Sequence, residues 1–161
     1  MAAGKTTVAQ ALARLLNCAV IDLDQLITES EERSPTEFIE QDGEKAFREV
    51  ETKHLLTALG SSSKLVLALG GGAWTRHQNR RLIAAHNGFT VWLDAPFDLC
   101  WQRISAGNIG RPLAPNKEQA QRLYDERRQF YALAAFHLSA DGETDADELA
   151  ARIAAATLKA E

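Results

Sequence analysis

The 161-residue chain carries 18 Lys and Arg against 22 Asp and Glu, a formal net charge of −4, and is 45% hydrophobic and 25% charged. Those values suit an ordinary globular protein long enough for one domain with a sizeable core, and the acidic balance argues against a general nucleic-acid surface. No apolar run is long enough to span a membrane and the start does not resemble a signal peptide, so the cytoplasm is expected. Cys18 and Cys100 stand far apart in no metal spacing and are expected as buried free thiols.

In chain order, Gly4-Lys5-Thr6-Thr7 is the second half of the phosphate-binding loop G-x-x-x-x-G-K-[ST], whose backbone N–H groups and lysine cradle nucleotide phosphates. The leading glycine would fall ahead of Met1, and so would the strand that feeds such a loop; a shortened chain or a start codon assigned too late is the expectation. The spacing of Val8, Ala11, Leu12, Leu15 and Leu16 predicts a helix from Lys5 to Asn17, its N-terminus facing phosphate. Cys18 to Asp24 reads as a buried parallel strand ending in two acids. Two residues apart, Asp22 and Asp24 would share a face, one for a magnesium ion and one for a substrate hydroxyl, unless Asp24 only caps a helix from Gln25 to Glu31.

Ser34-Pro35 marks a turn or helix start. A long amphipathic helix opens at Asp42, its expected N-cap, with Phe47, Val50, Leu55 and Leu56 on its apolar side and Arg48 paired to Glu44 or Glu51. Lys64 to Leu69 is the clearest buried strand and runs into Gly70-Gly71-Gly72, where close approach of backbone to a ligand is favoured over a plain hinge. A basic helix from Arg76 to His86 precedes a strand at 89–93, and Phe97 to Ile104 is a short helix bearing Arg103. Residues 105 to 116 lack periodicity and read as a lid with Arg111 at its tip. A helix from Lys117 to Ala135, a strand at 136–139 and a helix from Asp145 to Leu158 complete the chain. This alternation predicts an α/β fold, a three-layer α/β/α sandwich on a parallel sheet. His54, His77, His86 and His137 form no pair at metal-ligand spacing.

In this order and at these separations, Gly-Lys-Thr-Thr at 4 to 7, Asp22-Leu23-Asp24, Gly43-Glu44 with Phe47-Arg48 and Glu51, the three glycines, Arg111-Pro112-Leu113, and Arg127 four residues before Tyr131 resemble the shikimate kinase family. That family belongs to the P-loop, nucleoside-monophosphate-kinase-like group, and the resemblance covers essentially the whole chain. It implies strand order 2-3-1-4-5, with strand 1 missing here, in a single domain over 1–161, with a substrate-binding subdomain at about 24–54 and a lid at about 105–116. It also implies ATP-dependent phosphorylation of shikimate to shikimate 3-phosphate, on the route to chorismate and the aromatic amino acids.

By the same resemblance, Lys5, Asp24 and Arg111 are the catalytic residues, and Ala2, Ala3, Gly4, Lys5, Thr6, Thr7, Arg103 and Arg111 bind ATP. Shikimate falls to Asp24, Arg48, Gly70, Gly71, Gly72 and Arg127, with both arginines on its carboxylate, and Mg2+ to Thr6 and Asp22. A monomer is expected, with no membrane partner and no nucleic acid unless a DNA-binding domain is fused to it. The family usually has glycine where Glu32 or Arg33 falls and bulky apolar residues where Pro35 and Ile39 stand. Two rivals are a gluconate-kinase-like small-molecule kinase and a ligand-sensing, shikimate-kinase-like domain of a transcriptional regulator; a substrate panel and the upstream codons discriminate them.

Overall fold

The computed structural model describes residues 2–60, 64–107 and 116–159. Its elements are α1 (Lys5–Leu16), β1 (Ala19–Asp22), α2 (Leu23–Glu31), α3 (Pro35–Leu59), β2 (Leu65–Ala68), a 3-10 turn (Ala73–Thr75), α4 (His77–Ala85), β3 (Val91–Asp94), α5 (Phe97–Ala106), α6 (Lys117–Tyr131), β4 (Phe136–Ser139) and α7 (Ala146–Thr157). The expected alternation of helices and parallel strands is present, with helix and strand ends shifted by a few residues and the 3-10 turn unforeseen.

β1 pairs with β2 in parallel, from Ala19 opposite Leu65 to Asp22 opposite Ala68, and β3 with β4, from Val91 opposite Phe136 to Asp94 opposite Ser139. Among the described residues these are two separate two-stranded sheets, matching the pairs 2-3 and 4-5 of the expected order. Each sheet has its own core. Leu23, Ile27, Phe38, Phe47, Leu55 and Ile83 pack with Leu67 and Leu69 of the first; Val8, Cys100, Tyr124, Leu138, Leu149 and Ile153 pack with Val91 and Leu93 of the second. Helix α1 touches β1, β2 and α7, and so bridges the two.

Val8 and Ala11 of the expected face of α1 are buried and Leu12 packs against the second core, but Leu15 is 56% and Leu16 39% exposed, and Ala9 and Ala13 are buried in their stead. Small side chains suit a helix packed closely on both a strand and α7. Cys100 is buried as expected, whereas Cys18 is only half-buried.

The helix start expected at Ser34-Pro35 is present, while the one expected at Asp42 differs. Ser34 caps α3 with a full capping box, its hydroxyl accepting from the Glu37 N–H while the Glu37 carboxylate accepts from the Ser34 N–H, and Pro35 occupies the first turn. Asp42 is therefore not the cap of this helix; it pairs with Arg33 at 2.5 Å, immediately before a break at Gly43 (φ 86°, ψ 159°). That conformation is essentially restricted to glycine.

The C-cap of α2 is Glu32 at φ 55°, a left-handed position that favours glycine. Glu32→Gly should relieve the Cβ strain and raise stability by about 1 kcal/mol. Thermal unfolding should show a gain of roughly 2–4 °C for a chain of this size; an unchanged or lowered midpoint would count against the strain.

Candidate active site

Gly4 adopts φ 86° as the N-cap of α1, so the loop enters the helix at an N-terminus, where backbone N–H groups and the helix dipole favour an anion. Thr6 follows in the first turn and donates its hydroxyl to Asp22 Oδ2 at 2.6 Å. The other carboxylate oxygen, Asp22 Oδ1, accepts from the N–H groups of Asp24 at 3.0 Å and Gln25 at 3.4 Å. Strand β1 thus stops at Asp22, which is itself the N-cap of α2. Both expectations for this segment are corrected. Asp24 is neither a strand residue on the face of Asp22 nor the cap; it sits in the first turn of α2, where the helix turns its carboxylate toward the glycine loop.

That loop follows β2, and each of its three glycines makes room for one side chain. A Cβ at Gly70 would overlap the Asp24 carboxylate, one at Gly71 would stand 2.8 Å from Arg127 Nη1, and one at Gly72 would overlap the Arg48 guanidinium. None of the three carries a positive φ, so the requirement is for the missing side chain and not for an unusual backbone. Three residues from three different helices converge on three successive positions.

Arg48 is held from its own helix. Its Nη1 donates to Glu51 Oε1 at 2.8 Å and its Nη2 to Glu44 Oε1 at 3.0 Å. Burial opposes the Arg48 charge, but Glu51 and Glu44 outweigh it and hold its pKa above the ordinary arginine value. Glu51 is completely buried, and burial raises its carboxyl pKa against the opposing pull of Arg48. Its Oε2 has no hydrogen-bond partner among the described residues. On α6, burial lowers the Arg127 pKa, with the Arg48 charge acting in the same direction and Tyr131 against it. A buried cation of this kind gains strongly from an incoming anion.

Helix α6 is fastened to the loop at two points. Tyr131 donates its hydroxyl to the Gly71 carbonyl at 2.6 Å, and the Trp74 indole donates to the Phe130 carbonyl at 2.9 Å. From the other side Arg128 makes a bidentate pair with Asp94 at the end of β3, at 2.8 and 3.0 Å, with its guanidinium 4.9 Å from the Trp92 ring centroid.

A cavity of about 350 Å³ is lined by Ala2, Gly4, Lys5, Thr6, Thr7, Asp22, Asp24, Leu69, Gly71 and Arg127. It gathers most of the sequence-expected residues. Ala3 is buried in the core below the loop, and Arg103 approaches from α5, donating to the Ala2 carbonyl at 3.2 Å. Arg48, Gly70 and Gly72 are outside the lining but join it through Asp24 and Gly71. Arg111 lies outside the described residues. Of the expected lid, Ser105 and Ala106 belong to the last turn of α5, and Asn116 caps α6.

The expected pairing of Arg48 with Glu44 or Glu51 is present with both; the complete burial of Glu51 is not foreseen from the sequence, and Tyr131 has no expected task of its own. For Glu51 the signal is a charge at the centre of an apolar stripe, Phe47, Glu51 and Leu55, at the i, i+4, i+8 spacing of one helix face. Asp94 and Arg128 offer no comparable local signal, because their pairing depends on how α6 docks on β3.

The shikimate kinase family model matches residues 1–158. The chain is 37% identical to a shikimate kinase of Synechococcus sp. (strain JA-3-3Ab) over 156 residues, 95% of this chain and 81% of that one. It is 38% identical to a shikimate kinase of Cereibacter sphaeroides over 95% of this chain and 76% of that one. Among solved structures, shikimate kinase from Acinetobacter baumannii in complex with shikimate superposes with a TM-score of 0.88 at 32% identity, covering 100% of this chain and 90% of that one. The Bacteroides thetaiotaomicron shikimate kinase superposes at 0.87, with 28% identity over 98% and 93% of the two chains. With its phosphate-loop half, its glycine-seated acid and arginines, and these matches over its whole length, the chain belongs to the shikimate kinase family.

Proposed function

We propose that the protein transfers the γ-phosphoryl group of ATP to the 3-hydroxyl of shikimate, and that the residues gathered above carry the reaction. The observation that supports this most directly is the seating of Asp24, Arg127 and Arg48 over Gly70, Gly71 and Gly72, beside the loop that carries Lys5 and Thr6. Arg48 and Arg127 bind the substrate carboxylate as guanidinium forks. Asp24 orients the 3-hydroxyl and accepts its proton as the new O–P bond forms and the bond from Pγ to the β,γ-bridging oxygen breaks, releasing ADP. The first N–H groups of α1 and the Lys5 ammonium hold the phosphates, with Arg103 alongside.

The Thr6 hydroxyl and the Asp22 carboxylate, 2.6 Å apart, are hard oxygen donors that suit Mg2+, which when bound neutralises phosphate charge. Among the described residues no cluster of three or more His, Cys, Asp or Glu could hold a metal, in keeping with a cation ligated largely by nucleotide and water. Arg111, in the 105 to 116 lid, is assigned the charge on the transferring phosphoryl group. The single domain with its subdomain at about 24–54, the monomer and the cytoplasmic location belong to the same reading. Among the described residues no helix is long and apolar enough to cross a membrane.

The test is calorimetric titration of the folded protein with shikimate and with MgATP, together with shikimate-dependent ADP release. Binding of both ligands and stoichiometric ADP are expected; a folded protein that binds neither ligand would refute the assignment.

A further inference from the structure

We propose that Thr52 and Asn79 are positioning residues for the Arg48 clamp: a buried hydrogen-bond strut from α3 through α4 to the residue after Gly72, which sets the carboxylate subsite. This rests on the assignment of Arg48 to the substrate carboxylate.

Neither residue lines the cavity, yet Asn79 is fully buried and Thr52 is 9% exposed. Asn79 Nδ2 donates to the Ala73 carbonyl at 2.9 Å. The Thr52 hydroxyl lies 2.8 Å from Asn79 Oδ1 and 2.9 Å from the Arg48 carbonyl. It has one proton for these two acceptors. The Arg48 carbonyl already accepts from Arg76 Nη1 at 2.6 Å, whereas Asn79 Oδ1 without that proton would face another oxygen inside the core. The proton therefore goes to Asn79. The strut has a direction, from Thr52 through the Asn79 amide to the Ala73 carbonyl.

Its two ends are the two walls of the arginine site. Thr52 is one helical turn from Arg48, and Ala73 directly follows Gly72, into whose vacant Cβ position the Arg48 guanidinium fits. The rest of the wall is fixed from the same helix: Arg80 Nη1 donates to the carbonyls of Trp74 at 2.8 Å and Thr75 at 2.7 Å. Apolar residues of equal volume at 52 and 79 would pack α4 against α3 as well. What they would not do is fix the distance between the Arg48 turn and the glycine wall.

The experiment compares Thr52→Val, which keeps shape and removes the proton, with Thr52→Ser, which keeps the hydroxyl, and adds Asn79→Leu as an independent break. Each is titrated with shikimate and separately with MgATP, and hydrogen exchange is followed at the amides of Ala73 and Thr75, which donate to the carbonyls of Gly70 and Gly72 at 3.2 and 3.1 Å. Thr52→Val and Asn79→Leu should weaken shikimate binding roughly tenfold, the scale of orphaning one buried polar group, with MgATP affinity unchanged and faster exchange at both amides. Thr52→Ser should restore both. Folded variants with unaltered shikimate affinity and exchange, or with equal losses for both ligands, would reduce the strut to core packing. Should the parent protein fail to bind shikimate, the phosphotransfer reading falls and the exchange measurements still decide whether the strut holds the wall.

Discussion

Asp24→Asn is expected to lower turnover about a thousandfold, within the range for losing a general base, while shikimate and MgATP affinities stay within a few-fold of the parent. The amide matches the carboxylate in size, so the seat above Gly70 is preserved, but it can neither take the 3-hydroxyl proton nor hold negative charge against it. Asp22→Asn should behave differently. Its Oδ1 caps α2 and its Oδ2 receives the Thr6 hydroxyl, so the loss should fall on the magnesium requirement and partly on stability. Steady-state kinetics across a magnesium series separates the two; equal, metal-independent losses in both variants would remove the division of labour between them.

Gly72→Ala should be strongly damaging for a single added methyl group. The added Cβ would occupy the place of the Arg48 guanidinium, and moving that guanidinium separates it from Glu51, a completely buried carboxylate. Breaking a buried pair of this kind costs roughly 3–5 kcal/mol. Shikimate binding should fall by on the order of 100-fold or more, the scale of losing a charged hydrogen-bonding partner. Gly71→Ala should be milder, since its Cβ would stand 2.8 Å from a single atom of the Arg127 guanidinium, where the one at Gly72 overlaps most of the Arg48 guanidinium.

The Gly72 effect carries a pH signature. Burial already raises the Glu51 pKa in the folded protein and Arg48 opposes it, so displacing Arg48 raises it further. A carboxyl group with a raised folded pKa binds its proton more tightly in the folded state. Its stability contribution is fullest below the unfolded pKa and is lost as pH rises through the folded one. The stability gap between Gly72→Ala and the parent should therefore narrow toward acid pH, measured by denaturant unfolding. A gap that is constant or widens as pH falls would show that Glu51 is not the group exposed to the change.

The residues that gather at the proposed site were largely legible in the sequence because their chemistry is local. Gly4-Lys5-Thr6 announces a phosphate loop by composition and order, and three consecutive glycines at a strand end invite a reason. That reason was less legible. Which side chain occupies each vacant Cβ position depends on how α2, α3 and α6 dock, and no spacing encodes it. The roles of Asp22 and Asp24 turned on a single residue of strand length, since one more extended residue would have put both carboxylates on one face. Leu15 and Leu16 misled for a related reason: helical periodicity identifies an apolar stripe, but the close neighbours of α1 selected the alanines. The pairings of Thr52 with Asn79 and of Asp94 with Arg128 join residues 27 and 34 positions apart, so they become visible only in three dimensions.

The placement of the two arginines on different helices bears on how ligand binding and stability are linked. Asp24, Arg48 and the glycine wall belong with the β1–β2 core, while Arg127 and Tyr131 ride on α6, whose Tyr124 is buried in the β3–β4 core. On the proposed assignment, a substrate held by both arginines binds only when α3 and α6 stand together at the glycine wall, and by mass action its presence at 100 times its dissociation constant adds about 2.7 kcal/mol to that arrangement. The substrate is then a tether between two helices, and local opening that parts α6 from the wall is an excursion that bound ligand opposes.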